Sequence, residues 1–289
     1  MTELPARRLD SARGVLHTAP DGEFDFRRFD PPEALAPYVS WIWMVRWDRG
    51  DRDAYLQSVL PHPAANFVVE GAGGQLWGPQ RSRFDRSVEG VGRAIGVRFE
   101  PGGIAPFIDG PVSGIVDALV PGMWNDVGER VAATDDPAEA VGLLVAGIEP
   151  PTELDPNIAV VADAVALLER DRSFTRATQL AEHLDMSVRS LHRLFAEYVG
   201  LGPAWVIRRY RLHEATSRAT GTVDWAALAA ELDYATRPIW SGTSRRWSVC
   251  RLRGMRSAPG CDSDDGCDSD DGWVRPRRRC STRFPRGSE

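Results

Sequence analysis

The chain has 289 residues, a formal net charge of −6, and 43% hydrophobic and 26% charged residues. That length predicts two domains rather than one core, and the composition suits a globular chain and excludes a wholly disordered one. Its longest apolar stretches, such as 158–168, are too short to span a bilayer, so no membrane segment is expected. The arm from Met1 to Pro20 has no apolar run of the kind a secretory signal needs, which makes the cytoplasm the expected location.

The average charge hides an asymmetry. Residues 1–172 hold 16 arginines against 27 acidic side chains, a net of −11, whereas residues 173–222 hold 7 against 4, a net of +3. Lysine is absent, so every basic side chain is arginine, a bias expected of a GC-rich genome. The four cysteines, Cys250, Cys261, Cys267 and Cys280, all lie near the C-terminal end, so no disulfide framework supports the folded part.

Residues 1–22 read as a flexible arm. From 24 to about 111 apolar and polar positions alternate between Gly- and Pro-rich breaks, the pattern of antiparallel β structure. Strands are expected at 39–45, 66–70 and 94–99, with turns at Gly71-Ala72-Gly73-Gly74, Pro101-Gly102-Gly103 and Asp109-Gly110-Pro111. Short strands so punctuated suggest a small barrel or sandwich over 23–148, closed by a helix at 137–148, with 149–156 as the linker. Beyond it the apolar residues recur at helical spacing. Val160, Val161, Val165 and Leu168 stripe a first helix, and further helices are expected at 178–184, 187–199, 203–217, with Pro203 in its first turn, and 224–232. The fold class is therefore α+β: an N-terminal antiparallel β barrel or sandwich, an all-α domain over 157–236, and a disordered tail over 237–289.

The segment Thr178-Gln-Leu-Ala-Glu-His-Leu-Asp-Met-Ser-Val-Arg-Ser-Leu-His-Arg-Leu-Phe195 has the pattern of a helix-turn-helix. Ala181 is small where two helices cross. Leu180, Leu184, Leu191, Leu194 and Phe195 form an inward face, and Ser187 caps a helix whose other face carries Val188, Arg189, Ser190, His192 and Arg193. An arginine there can donate two hydrogen bonds to O6 and N7 of guanine, which makes Arg189 and Arg193 the best base readers. The plainer alternative is the solvated face of an ordinary amphipathic helix.

The wider context decides between them. Arg189-Ser-Leu-His-Arg-Leu-Phe-Ala-Glu-Tyr-Val-Gly-Leu-Gly-Pro-Ala-Trp-Val-Ile-Arg-Arg-Tyr-Arg-Leu-His-Glu-Ala215, followed by Val223-Asp-Trp-Ala-Ala-Leu-Ala-Ala-Glu-Leu-Asp-Tyr-Ala235, closely resembles the AraC family of transcriptional regulators. The N-terminal stretches Phe29-Asp-Pro-Pro, Leu35-Ala-Pro-Tyr-Val, Leu60-Pro-His-Pro-Ala-Ala-Asn-Phe-Val-Val-Glu-Gly71 and Gly96-Val-Arg-Phe-Glu-Pro-Gly-Gly103 resemble one branch of such regulators. The resemblance implies two helix-turn-helix units joined by a long helix, behind a cupin-like domain that senses an effector or dimerises. It implies double-stranded DNA as partner, with room for a small-molecule effector, a homodimer and a contact with RNA polymerase. Pro61, His62 and Asn66 are candidate effector contacts, although a histidine between prolines more often closes a turn. No cofactor, metal or catalytic residue is expected. A cupin-like enzyme is the remote alternative, weakened because His17 and His62 are the sole histidines of the β domain.

Two departures are local: Asp185 and Asp233 stand where the family usually bends on glycine, and aspartate tolerates the left-handed region at modest cost. A third is larger. After Ala235 the chain reads Thr236-Arg-Pro-Ile-Trp-Ser-Gly-Thr-Ser-Arg-Arg-Trp247, poor helix material where a second recognition helix should begin. Permitted GC-rich codons for 235–255, read one base earlier, give Ala-Asp-Gln-Ala-His-Leu-Val-Arg-Asp-Phe, the kind of string the family should have. A frameshift is therefore expected, leaving the second unit truncated. The competing reading is a sensing or dimerising protein that has lost specific DNA binding. The tail's cysteine spacing does not fit a zinc site, its repeated Gly-Cys-Asp-Ser-Asp-Asp-Gly does not fit a calcium loop, and Arg275, Arg277, Arg278 and Arg279 would add only phosphate attraction that weakens with salt.

Overall fold

The computed structural model describes residues 6–8 and 24–218. By backbone contacts the chain divides at Ala235/Thr236, and the described residues all belong to the first unit. The expected fifth helix at 224–232, the bend at Asp233 and the tail, with its cysteines and arginines, lie outside the described residues.

The class is α+β, as expected: an antiparallel sheet domain followed by helices. Among the described residues nine strands form, β1 Ala6–Arg8, β2 Phe24–Phe29, β3 Val39–Asp48, β4 Tyr55–Val59, β5 Asn66–Glu70, β6 Gly73–Trp77, β7 Phe84–Val88, β8 Val91–Phe99 and β9 Leu119–Val120. Seven pair in the order β1-β2-β3-β8-β5-β6-β9, and β4 pairs with β7 apart from them. Strand alternation gives the larger sheet two unlike faces. In register, Phe29 stands beside Ile42, Ile42 beside Val97, Val97 beside Phe67 and Phe67 beside Leu76, and all five are buried in one core. The opposite face carries Arg28, Trp41, Trp43, Trp47, Asn66 and Arg98.

Two helices cover the apolar face, α1 (Asn125–Ala133) and α2 (Pro137–Gly147), through Val127, Val131, Ala140, Val141 and Leu144. The sequence carried a start signal for α2, with Asp136 accepting from the Ala138 N–H at 3.0 Å and proline in the first turn. It carried none for α1, whose N-cap is Trp124 in the left-handed region, with no capping side chain. Packing supplies what the cap does not. The Trp124 ring stacks on Phe99 at 5.7 Å and meets Phe67 and Phe107 edge-on, so α1 is held by tertiary contact rather than by its own ends.

One expected turn is partly strand. Gly71 and Ala72 turn, but Gly73 and Gly74 belong to β6. A Cβ on Gly74 would lie 2.4 Å from the Phe67 ring, and one on Gly128 of α1 would lie 2.3 Å from the Gly74 nitrogen. The two glycines let helix and strand touch backbone to backbone.

The remaining helices are α3 (Pro156–Arg170), α4 (Ala177–His183), α5 (Val188–Tyr198) and α6 (Pro203–Arg218), each within a residue or two of the sequence reading. Ile158, Val161, Ala164, Val165 and Leu168 face inward on α3, whereas Val160, assigned to that stripe from sequence, lies 36% exposed. At 100° per residue, positions 158, 161, 164, 165 and 168 share one arc of the helix and 160 falls just outside it.

Gly128→Ala is expected to lower unfolding stability by about 1–3 kcal/mol, since the added methyl has only backbone to displace. Gly142→Ala, inside α2 with nothing within 4 Å of its Cβ position, should raise it by about 0.5–1 kcal/mol. Urea titrations of the two variants beside the parent would show it, and equal effects would refute this account of the α1–β6 contact.

Candidate nucleic-acid interface

The second apolar cluster contains Val161, Val165 and Leu168 of α3, Leu180 and Ala181 of α4, Leu191 and Phe195 of α5, and Val206, Ile207 and Tyr210 of α6. Leu184 and Leu194 pack against it half-buried. Against this core α4 and α5 are joined by the four residues 184–187. Asp185 bends the chain with φ +52°, the left-handed conformation anticipated there, and the Met186 N–H donates to the Ala181 carbonyl at 2.9 Å. The Gln179 side chain accepts from the N–H groups of Thr175 and Arg176 at 2.8 and 2.9 Å, closing the start of α4. Ser187 caps α5, its hydroxyl accepting from the Ser190 N–H at 3.0 Å.

These local devices fix which face of α5 points outward. Leu191 and Phe195 are fully buried, so positions about 100° and 200° away face solvent. Ser187, Val188, Arg189, His192 and Arg193 are exposed, with Val188 38% open, and Ser190 is half-buried beneath the cap. Five of the six residues singled out from sequence therefore form one surface. The rise from 188 to 193 is about 7.5 Å, a little over two base-pair rises.

The other end of α5 is fastened to the sheet domain. The Tyr198 hydroxyl donates to Asp155, the N-cap of α3, and accepts from Asn157 Nδ2 at 3.1 Å. The Tyr198 bond holds the Asp155 carboxyl below its ordinary pKa, while burial and Asp155 push the phenol up. Gly200 then turns with φ +78°, and a Cβ there would lie 2.8 Å from the Val112 carbonyl oxygen.

The candidate effector contacts Pro61, His62 and Asn66 lie at the α6 end of the sheet, and the first two meet that helix. Arg209 donates to the Pro61 carbonyl at 3.3 Å and to the Arg81 carbonyl. The His62 ring lies 4.6 Å from His213 and 5.9 Å from Tyr210. Asn66 is in β5, beside Arg98 and Trp77. Tyr210, His213 and Arg98 were not singled out from sequence. An arginine inside the apolar run 94–99 is the signal that pointed to the last, whereas nothing local marks the other two.

The family described as a domain of unknown function, DUF6597, matches residues 27–121. That span runs from within β2 to β9 and stops short of α1. No curated protein matches the chain. Among solved structures, the crystal structure of the AraC-like transcriptional activator CuxR aligns with 80% of this chain and 90% of its own, at 15% identity and a TM-score of 0.23. A score that low leaves the function to be argued from the residues. Among the described residues no helix is long and apolar enough to cross a membrane.

Tyr198→Phe is expected to cost about 1 kcal/mol at neutral pH. Because Asp155 is depressed in the folded state, its contribution is complete above the ordinary carboxylate pKa of ~3.9 and is lost as pH falls through the lower folded value. The stability gap between parent and variant should therefore narrow toward pH 2 in denaturant titrations. A gap independent of pH would mean that the bond is not coupled to Asp155.

Proposed function

We propose that the chain is a sequence-specific, DNA-binding transcriptional regulator of the AraC type, with α5 as the helix that enters the major groove. The observation that carries this reading is the surface Val188, Arg189, His192 and Arg193 on a helix whose other side is locked by Leu191 and Phe195. It lies within a segment of net charge +3 in an otherwise acidic chain. A capped helix with Arg189 in its first turn and Arg193 in its second suits bidentate contacts to guanine, and the positive segment supplies attraction to phosphates. The matching of residues 189–235 to the AraC pattern supports the same reading. It carries with it the expectations of an effector bound by the sheet domain, a homodimer, a contact with RNA polymerase and a cytoplasmic location. Catalysis has no part in it.

A second reading rests on the break after Ala235. One groove-entering helix spans little more than two base pairs, whereas paired reading heads engage successive turns of the major groove, ~34 Å apart. If the second head is truncated, specific binding is weak and the chain's remaining role is sensing or dimerisation.

Selection from random duplexes at physiological salt, with the chain as given beside a version restored to the inferred frame, separates the two. Enrichment of one half-motif by both favours the regulator reading for this chain, and enrichment by the restored version alone favours the second. Arg189→Ala and Arg193→Ala should each cost about 1–3 kcal/mol of discrimination at one base pair and relax preference there. Uniform weakening over all sequences would assign both arginines to phosphate contacts.

A further inference from the structure

The face of the sheet turned away from the apolar core holds a buried cation. Arg98 of β8 is 7% exposed, and its Nε meets no acceptor among the described residues. None of the ion pairs there includes it. Its guanidinium lies over the Trp41 ring at 4.1 Å, and the Arg28 guanidinium lies over the same ring at 3.7 Å. Burial pulls the Arg98 pKa down and Arg28 adds to the pull, against the opposing influence of Tyr210, Glu169 and Glu100. A guanidinium still keeps its proton in a protein. A buried charge is normally paired and hydrogen-bonded, because removal from water is otherwise uncompensated. Here one indole and carboxylates acting from a distance stand in for a direct partner.

The surroundings indicate what the partner should be. Trp43 stands two residues from Trp41 on the same face of β3, about 7 Å along the strand. Its ring lies against Gly96, where a Cβ would come within 2.7 Å of it, and the Trp47 ring lies against Gly92, where a Cβ would come within 2.4 Å. Gly96 thus leaves room for an indole surface beside the cation, whereas Trp47 stands about 20 Å along the strand from Trp41. A planar fork of N–H donors matches a carboxylate geometrically, and the indole surface favours a flat apolar body. Glu100 and Glu169, which already act on Arg98, disfavour a second negative charge. Tyr210, on α6, acts on Arg98 electrostatically as well, so the site adjoins the end of the sheet that meets that helix.

We infer that Arg98, backed by the Trp41 ring and with Trp43 beside it, binds the carboxylate of a small organic monoanion with a flat apolar body. This deepens the effector-sensing part of the reading above, and rests on it only for the use to which binding is put. The site lies on the sheet face that also carries Asn66, which stands beside Arg98, and adjoins Pro61 and His62.

The test uses the full chain without DNA, so that its failure and that of the regulator reading are separate results. Phenylacetate, benzoate, the neutral benzamide and inorganic phosphate are titrated while tryptophan fluorescence and thermal unfolding are followed. The carboxylates should quench the fluorescence and raise Tm by about 2–4 °C at saturation, with benzamide and phosphate at least tenfold weaker. Arg98→Met should abolish the response while leaving the unliganded chain as stable as the parent or more so, since it removes a buried charge with no partner. Arg98→Lys, which keeps the charge and loses the fork, should weaken binding about tenfold. A phosphate response equal to that of phenylacetate overturns the inference, as does an undiminished response in Arg98→Met. Unfolding of Arg98→Met also overturns it, by making Arg98 a structural cation.

Discussion

Tyr198 sets where α5 stands. Its ring packs against both apolar clusters, the one beneath the sheet and the one among the helices, and its hydroxyl ties Asp155 and Asn157 at the start of α3. Gly200, two residues on, passes the Val112 carbonyl too closely for any other residue. With this end held from three sides, the capped end of α5 projects about 15 Å away, clear of the core and with its polar face in solvent. The exposure of Arg189 and Arg193 thus depends on a contact nine residues away from the first of them.

The second joint is the inner face of α6. Arg209 reaches the carbonyls of Pro61 and Arg81, and His213 and Tyr210 pack on His62. These partners are separated by well over 100 residues in sequence. Guanidinium-to-carbonyl bonds are directional and hold one arrangement, while the aromatic contacts between them add area at little conformational cost. The sheet domain therefore meets the helices through α6 as well as through α5. A ligand can shift such an arrangement only as far as its affinities for the alternatives differ, and this is where any such difference would act.

The two faces of the sheet divide its work. One is apolar over its centre and requires α1 and α2 as cover, with Arg46 and Arg93 at its end bonded to carbonyls of residues 131–135, and the close approach of Gly74 to Gly128 lets that cover sit tightly. The other mixes tryptophan with arginine, and among the described residues α1 and α2 lie on the opposite side from it. Its glycines serve a different end, leaving room for indole rings rather than for backbone.

The sequence by itself determined what is local. The two faces of α5, the Ser187 cap, the bend at Asp185, α2 with its Asp-Pro start and strand β5 were all legible, because helix period, strand alternation and capping bonds span no more than a few residues. Tertiary structure decided the rest. Helix α1 has no cap to announce it and exists through Trp124 and Val127. Gly73 and Gly74 looked like a turn until Phe67 and Gly128 closed over them. Val160 shared the apolar character of its neighbours and still faces out, since packing selects a stripe narrower than the residues that qualify for it. Arg98 read as one more position in an apolar strand, and its burial beside Trp41 follows from strand register and from contacts with distant segments. A side chain's environment is a property of the partners brought to it, and those partners lie far away along the chain.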